Sequence, residues 1–467
     1  MININPFLIQ WQRYFIMASN IKNMTEGNPG KLIFAFAIPL MAGNVFQQLY
    51  TVVDTMVVGK FLGVQALAAL GAAEWLNWMM LGTIQGFTQG FGIQMAQDFG
   101  AQDYKRLRKT VGGSVLLALI SAILLVLIGQ LIARPVLTLL QTPDEIIGNT
   151  LLYIRIMFLG VPIVMTYNLL ACILRSLGDS KTPLQAMVIA SLLNIGLDVL
   201  FVFVFHWGIA GAAIATLIAQ AFSSVFCLAR IRRVEILHLT RDDIRLNGAL
   251  AAKLLGLGSP MAFQNAIIAV GGMIVQAVVN GFGVIFIAGF TATNKLYGLL
   301  EIAATSYGYS VVTYVGQNLG AGKIGRIKSG TKASVILACL TSLVITAVMI
   351  LFGKLILGSF ISGTPEQVEE AMKIAYFYLV IMSVFLPVLY ILHVVRSAIQ
   401  GMGNTFLPML SGVAEFIMRT GSALLLPALV GEIGIFFAEI LAWAGADVVL
   451  ITSYFIVIRK IENMYSA

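Results

Sequence analysis

Twelve stretches of the chain are almost continuously apolar, with polar residues gathered between them. They cover residues 32–58, 66–95, 111–133, 150–173, 184–205, 208–229, 254–279, 284–315, 332–356, 374–396, 407–429 and 433–458. A membrane-crossing helix takes about 20 residues, so each stretch is long enough to span a bilayer. Pro39, Pro162, Pro260 and Pro387 interrupt four of them. Such breaks are tolerated where neighbouring helices satisfy the freed backbone groups. The pattern predicts an all-α polytopic membrane protein with twelve transmembrane helices.

The pattern also repeats. Gln97-Asp98-Phe99-Gly100-Ala101 recurs as Gln317-Asn318-Leu319-Gly320-Ala321, and Ser114-Val115 recurs as Ser334-Val335. Pro39 and Asn44 match Pro260 and Asn265 upstream. Arg175-Ser176 matches Arg396-Ser397 downstream, Pro183 matches Pro408, and Gly208 and Gly211 match Gly431 and Gly434. The chain therefore reads as two copies of a six-helix unit. An even helix number makes the copies parallel, with a pseudo-two-fold along the membrane normal. The expected division is an N-terminal extension 1–23, an N-lobe 24–229, a basic linker 230–253 and a C-lobe 254–467. Two-lobed repeats of this kind typically hold substrate between the lobes and rock to give alternating access. The extension lacks the apolar core and cleavage site of a signal peptide. It is either an interfacial segment or a stretch ahead of a true start at Met24.

Composition sharpens the class. The chain has 467 residues, 59% hydrophobic and only 11% charged, whereas a soluble domain is about 25% charged. A soluble fold and a disordered chain are both excluded. The net charge of +8 sits in alternate loops. Lys105, Arg106, Arg108 and Lys109 follow span two, and Arg175 and Lys181 follow span four. Arg230, Arg232, Arg233, Arg241, Arg245 and Lys253 follow span six. Lys323, Arg326, Lys328 and Lys332 follow span eight, and Arg396 follows span ten. The positive-inside rule places these loops and both termini in the cytoplasm of a cell-membrane protein, and the charge needs no nucleic-acid partner. Cys172, Cys227 and Cys339 lie in apolar runs and read as core residues without a disulfide or zinc role. His206, His238 and His393 are too scattered for a histidine-built metal site.

Charges inside spans are costly and therefore the most informative residues. The first half has Asp54, Glu74, Arg155 and Asp198. The second has Lys295, Glu301, Glu415, Arg419, Glu439 and Asp447. Gln47 and Asp54 share one helix face, as do Asn194 and Asp198. Thr216 lies one helical hairpin later. A carboxylate in low dielectric takes up a proton, or binds a small hard cation together with Asn, Thr and backbone oxygens. Either event couples an ion gradient to a movement. The plainer alternative is that both acids only hydrogen-bond inside the bundle. Glu415 and Arg419, four apart, fit a structural ion pair or a cavity wall. Lys295 and Glu301 fit a cavity-lining pair or a pair held by other helices. The acids are not repeated: Asp54 aligns with Val275, and Asn194 with Arg419. Coupling is thus expected in the N-terminal half. No P-loop, nucleophile elbow or metalloprotease motif is present, so an enzyme is not expected.

The run Gln47-Gln48-Leu49-Tyr50-Thr51-Val52-Val53-Asp54-Thr55, the twice-used Gln-x-x-Gly-Ala element and Arg175-Ser176-Leu177-Gly178-Asp179-Ser180-Lys181-Thr182-Pro183 together resemble the MATE family of multidrug and toxic compound extrusion transporters. The similarity runs from about Met24 to the end. It implies two six-helix bundles and efflux of small organic compounds, often cationic, in exchange for H+ or Na+, without a cofactor. Its motifs carry an N-lobe cation site onto Asp54, Asn194 and Asp198, with Thr216, Tyr153, Asn168 and Gln47, and a helix-bend proline onto Pro39. Na+ would fall at Asp54, Asn194, Asp198 and Thr216. A seventh-helix acid found in one branch is missing, since 254–279 holds no Asp or Glu. Lys295, Glu301, Glu415 and Arg419 remain as residues of a C-lobe cavity. The expectation is a monomeric antiporter of organic cations or neutral amphipathic compounds. The alternative is a lipid-linked oligosaccharide flippase of the wider superfamily, which would need a strongly basic cavity.

Overall fold

A computed structural model of the chain describes residues 20–245, 247–361 and 364–466. The 1–23 extension lies almost wholly outside the described residues. Fourteen α-helices and no strand occur among those described. They are α1 Pro29–Leu62, α2 Val64–Gly100, α3 Tyr104–Leu139, α4 Asp144–Leu159, α5 Val161–Ser176, α6 Lys181–Asp198 and α7 Gly208–Ile231. The second seven are α8 Gly248–Val279, α9 Val284–Gly320, α10 Ile324–Leu357, α11 Pro365–Val384, α12 Leu386–Gly401, α13 Phe406–Val430 and α14 Ala438–Ser466.

The element order of the first seven recurs in the second seven. In each half the fourth span is broken in two: α4 and α5 meet at 48°, α11 and α12 at 47°. Pro162 and Pro387 stand in the first turn of the second piece. A proline there lacks the N–H that would continue the preceding helix, so the ladder stops and a new one starts at an angle. Each bent pair counts as one span, and the halves contain six spans each.

Eight helices are long and apolar enough to cross a bilayer unaided, and the bent pairs add two. The remaining two, α2 and α9, occupy the same place in each repeat and are 37 residues long. They are the polar spans. Glu74, Asn77, Gln85 and Gln89 interrupt α2, and Asn294, Lys295 and Glu301 interrupt α9. Helix ends are set locally. Asp103 caps α3 by accepting the Arg106 N–H at 2.9 Å, and Thr364 and Gln367 form a reciprocal capping box at the start of α11. On α3 and α10, Leu127, Leu131, Leu351 and Leu355 are exposed, as befits faces solvated by lipid.

The helices group into two compact units. Unit 1 holds Ile38–Gly258, Gly316–Lys323 and the segment up to Gly27. Unit 2 holds Asn28–Ala37, Ser259–Val315 and the chain from Ile324 onward. The divisions inside α1 and α8 fall where Ile38 and Ser259 directly precede Pro39 and Pro260. Both Gln-x-x-Gly-Ala elements lie in unit 1. A Cβ on Gly100 would collide with the Gln317 carbonyl, and one on Gly320 with the Gln97 carbonyl, so glycine is what permits this crossing. The Gln317 side chain accepts the Met24 N–H and donates to the Ser176 carbonyl, both at 2.8 Å, while Asn318 donates to the Met24 carbonyl at 3.1 Å.

One sequence expectation needs correction. Arg396 is not a loop charge. It lies inside α12 with a side chain only 11% exposed, because α12 runs to Gly401 and Arg396 has a carboxylate to meet.

Candidate cation-coupling site

Three helices of unit 1 bring the predicted acids together. α1 presents Gln47, Tyr50 and Asp54, α6 presents Asn194 and Asp198, and α7 presents Thr216. Asp198 is the last α-helical residue of α6. The chain continues from it as a π-helical stretch, Val199–Val204. Such widened turns occur frequently at functional sites, because they re-aim the side chains at their edge. Asp198 is 0% exposed and Asn194 1% exposed.

The Asp54 and Asp198 carboxyls lie beside each other, close enough to interact directly. Each keeps a buried Oδ1 with no hydrogen-bond partner among the described residues. No ion pair to either acid is found among them. Asn194, with its amide turned to suit both neighbours, donates to Asp198 Oδ2 at 3.2 Å and accepts the Thr216 N–H at 3.3 Å. Tyr50 and the buried Tyr153 sit within electrostatic reach of both carboxyls. A cavity of about 40 Å³ borders this group, lined by Gln47, Tyr50, Ser191, Asn194, Thr216 and Gln220 among others. It has room for a few waters or a partly hydrated ion. Gln220 Oε1, also without a partner among the described residues, was not singled out by the sequence reading. Its signal was the i+4 spacing from Thr216.

Not every candidate joins the group. Asn168 donates to the Val164 carbonyl of its own helix at 2.8 Å, while its neighbour Tyr167 lines the cavity. Pro39 is buried in the interior of α1, well before the acid.

Unit 2 is built differently. Arg419 on α13 donates through Nη2 to Glu415 at 2.9 Å and to Glu439 at 2.7 Å, through Nε to Glu439 at 3.1 Å, and through Nη1 to the Ile268 carbonyl at 3.3 Å. Arg396 Nη2 closes on the other Glu415 oxygen at 2.7 Å. Charges thus alternate along Arg396, Glu415, Arg419 and Glu439. Glu415 and Arg419 are each 4% exposed. Glu301 lies 3.4 Å from His393 Nε2, and Lys295 is exposed. So Glu415 and Arg419 do form the intrahelical pair, and Glu301 pairs with a histidine of α12 rather than with Lys295. Asp447 Oδ1 is buried without a partner among the described residues. No cluster of three or more His, Cys, Asp or Glu able to hold a metal occurs among the described residues.

The MatE family model matches residues 39–200 and 260–442, one copy on each repeat. The chain belongs to the MatE family. Family members are membrane transporters, and this chain is a multi-span transporter and not an enzyme. It is 28% identical over 417 residues to the probable multidrug resistance protein YpnP of Bacillus subtilis, covering 88% of this chain and 92% of that one. It is 23% identical to the probable multidrug resistance protein NorM of Thermotoga maritima, covering 81% and 82%. Among solved structures, a MOP superfamily transporter from Pyrococcus furiosus superposes with a TM-score of 0.88 at 21% identity, covering 94% of this chain and 98% of that one. An outward-facing multidrug resistance MATE transporter superposes at 0.87, also at 21% identity, covering 94% and 98%. These structural matches give the MatE chain its fold: twelve membrane helices in two six-helix repeats.

Proposed function

We propose that this MatE transporter is a secondary antiporter of the cell membrane, with cytoplasmic termini. It exports small organic compounds, cationic or neutral and amphipathic, by alternating access of two six-helix lobes, 24–229 and 254–467. The observation that carries this reading is the Asp54–Asp198 pair: two adjacent carboxyls at membrane depth, each with a buried oxygen left unpartnered among the described residues. Two carboxylates in contact repel unless a positive charge lies between them. The described residues supply none there, so on this reading the charge comes from an ion that can arrive and leave.

Of the two candidate ions, H+ fits with least rearrangement. One proton shared by the two acids turns repulsion into a hydrogen bond. Na+ prefers several oxygen ligands at once, so the two carboxyls and the Asn194 amide oxygen would have to converge on one point. Tyr153, Gln47 and Thr216 orient the acids and line the approach. The names of the curated relatives YpnP, MepA and NorM, which are multidrug resistance or export proteins, support organic substrates. The buried arginines of unit 2 give no support to carriage of a pyrophosphate-linked lipid, because carboxylates already neutralise both.

The test is efflux of a cationic dye from proteoliposomes under separately imposed pH and Na+ gradients. Efflux driven by the pH gradient, and lost in Asp54→Asn and Asp198→Asn, is the expected result. Undiminished gradient-driven efflux in both variants would remove the acids from the coupling step.

A further inference from the structure

Repeat equivalence links the two groups of buried polar residues. The offset that relates Pro183 to Pro408 carries Asn194 onto Arg419 and Ala190 onto Glu415. The offset that relates Gly208 to Gly431 carries Thr216 onto Glu439. The contact between Asn194 and Thr216 in unit 1 is therefore repeated in unit 2 as the contact between Arg419 and Glu439. The place is the same, but the chemistry is reversed. Unit 1 has carboxyls and no cation. Unit 2 has carboxyls with a guanidinium already among them.

The guanidinium is held as a ligand would be. Two carboxylates and one main-chain carbonyl receive Nε, Nη1 and Nη2. Space is made for it on α8 at Gly271, where a Cβ would stand 3.3 Å from Arg419 Cδ and 3.4 Å from Nη1. The other elements contribute Tyr297 from α9 and Tyr378 from α11, both within electrostatic reach of Arg419, and Glu301, which faces Glu439. His393 and Arg396 of α12 face Glu415. Asp447, 8% exposed and with an unpartnered Oδ1, faces Arg396 and Glu415, so the surroundings keep a surplus of acceptors even with both arginines in place.

We propose that Glu415, Glu439 and the Ile268 carbonyl form a monovalent-cation site in unit 2, which the chain fills with its own Arg419 guanidinium. Unit 2 is then held permanently in the cation-bound condition that unit 1 enters only on taking up an ion. The consequence is one exchangeable coupling site per transporter. The inference rests on the preceding reading only for what unit 1 does. Whether unit 2 contains a cation site is decided by binding alone.

The experiment uses the full chain purified in detergent, with Asp54→Asn throughout so that unit 1 does not respond. Thermal unfolding is followed for Arg419 and Arg419→Ala proteins with guanidinium or methylguanidinium chloride at low millimolar concentration, against equal choline chloride. The midpoint of Arg419→Ala is expected to fall by several degrees. Guanidinium should recover at least half of that loss saturably. The same salt should leave the Arg419 protein unmoved, and adding Glu439→Gln to Arg419→Ala should abolish the recovery. A response no larger than that to choline, or an equal response with Arg419 present, would overturn the proposal. If Arg419→Ala does not fold, Arg419→Lys is compared with Arg419→Met. Lysine, still a tethered cation, should give the higher midpoint. Methionine equal to or better than lysine, or failure of both to fold, would overturn it. Loss of the Asp54 coupling role in the efflux assay leaves these outcomes unaffected, so the two ideas fail separately.

Discussion

The two units each bury a pair of acids, at positions that do not align in the repeat, and balance them in opposite ways. In unit 1 the Asp54 and Asp198 carboxyls lie beside each other and have no counter-charge among the described residues. In unit 2 Glu415 and Glu439 share the Arg419 guanidinium, and Glu415 also meets Arg396. In a buried ion pair each group is the other's counter-charge, and removing either strands an uncompensated charge. A buried acid without a partner stays charged only while an outside cation is present. The difference teaches that unit 1 is distinguished less by having acids than by lacking a resident cation that would satisfy them.

Four substitutions break or sharpen this contrast. The largest effect belongs to Glu439→Gln, which leaves Arg419 without its closest carboxylate. Breaking one side of a buried pair costs about 3–5 kcal/mol, so chemical unfolding should show a loss of that order. Asp198→Asn, in the unit without a resident cation, should change stability by no more than about 1 kcal/mol. Similar losses in both would erase the contrast. Next is Asn194→Arg, which gives unit 1 the tethered cation of unit 2. Gradient-driven dye efflux should fall about tenfold or more, about 1.4 kcal/mol in the driven step, while dye binding by fluorescence titration persists. The fourth, Gly100→Ala, acts away from both groups. It forces a methyl against the Gln317 carbonyl and should cost about 1–3 kcal/mol in unfolding experiments, with the coupling ion unchanged.

The smallest effect concerns pH. Asp243, in the linker, accepts the Thr240 N–H at 2.9 Å and lies 3.6 Å from Arg108. That backbone hydrogen bond holds its carboxyl below the usual carboxylate range. A depressed native pKa stabilises above the unfolded value, near 3.9, and the contribution fades as pH falls through the native value. Protection of the 232–245 amides, relative to their intrinsic exchange rates, should therefore fall only below about pH 4. A fall in protection near neutral pH would mean that linker loosening contaminates any pH-dependent transport signal assigned to unit 1.

Much of this was legible in the sequence. Apolar runs marked the spans, and spaced prolines and the Gln-x-x-Gly-Ala element marked the repeat. The cost of charge in lipid singled out Asp54 and Asp198. What escaped was partnership across helices. Arg396 read as a loop charge because an arginine at the end of an apolar run looks the same whether it reaches water or a carboxylate. Glu439 stood among the in-span charges, but nothing in its neighbourhood names Arg419, which lies a helix away. Gln220 and the π-helical stretch after Asp198 were missed for a related reason. A widened turn has no periodicity of its own in an apolar run, and an orphaned amide oxygen is recognisable only once its surroundings are known. The assignment of Asn28–Ala37 and Gly316–Lys323 to the opposite unit was likewise hidden, because it rests on contacts distant in sequence.

The polarity of α2 and α9 also bears on how the chain is made. Hydropathy alone does not carry these two helices into lipid, and a lysine or acid at the centre of a helix adds about 2.5–3.5 kcal/mol against insertion. α9, with Lys295 and Glu301, is therefore expected to enter the bilayer together with the apolar α8 and α10. The same is expected of α2 between α1 and α3. Substitutions that make α9 more polar should first appear as rapid degradation of the newly made chain, before any defect in a mature transporter can be measured.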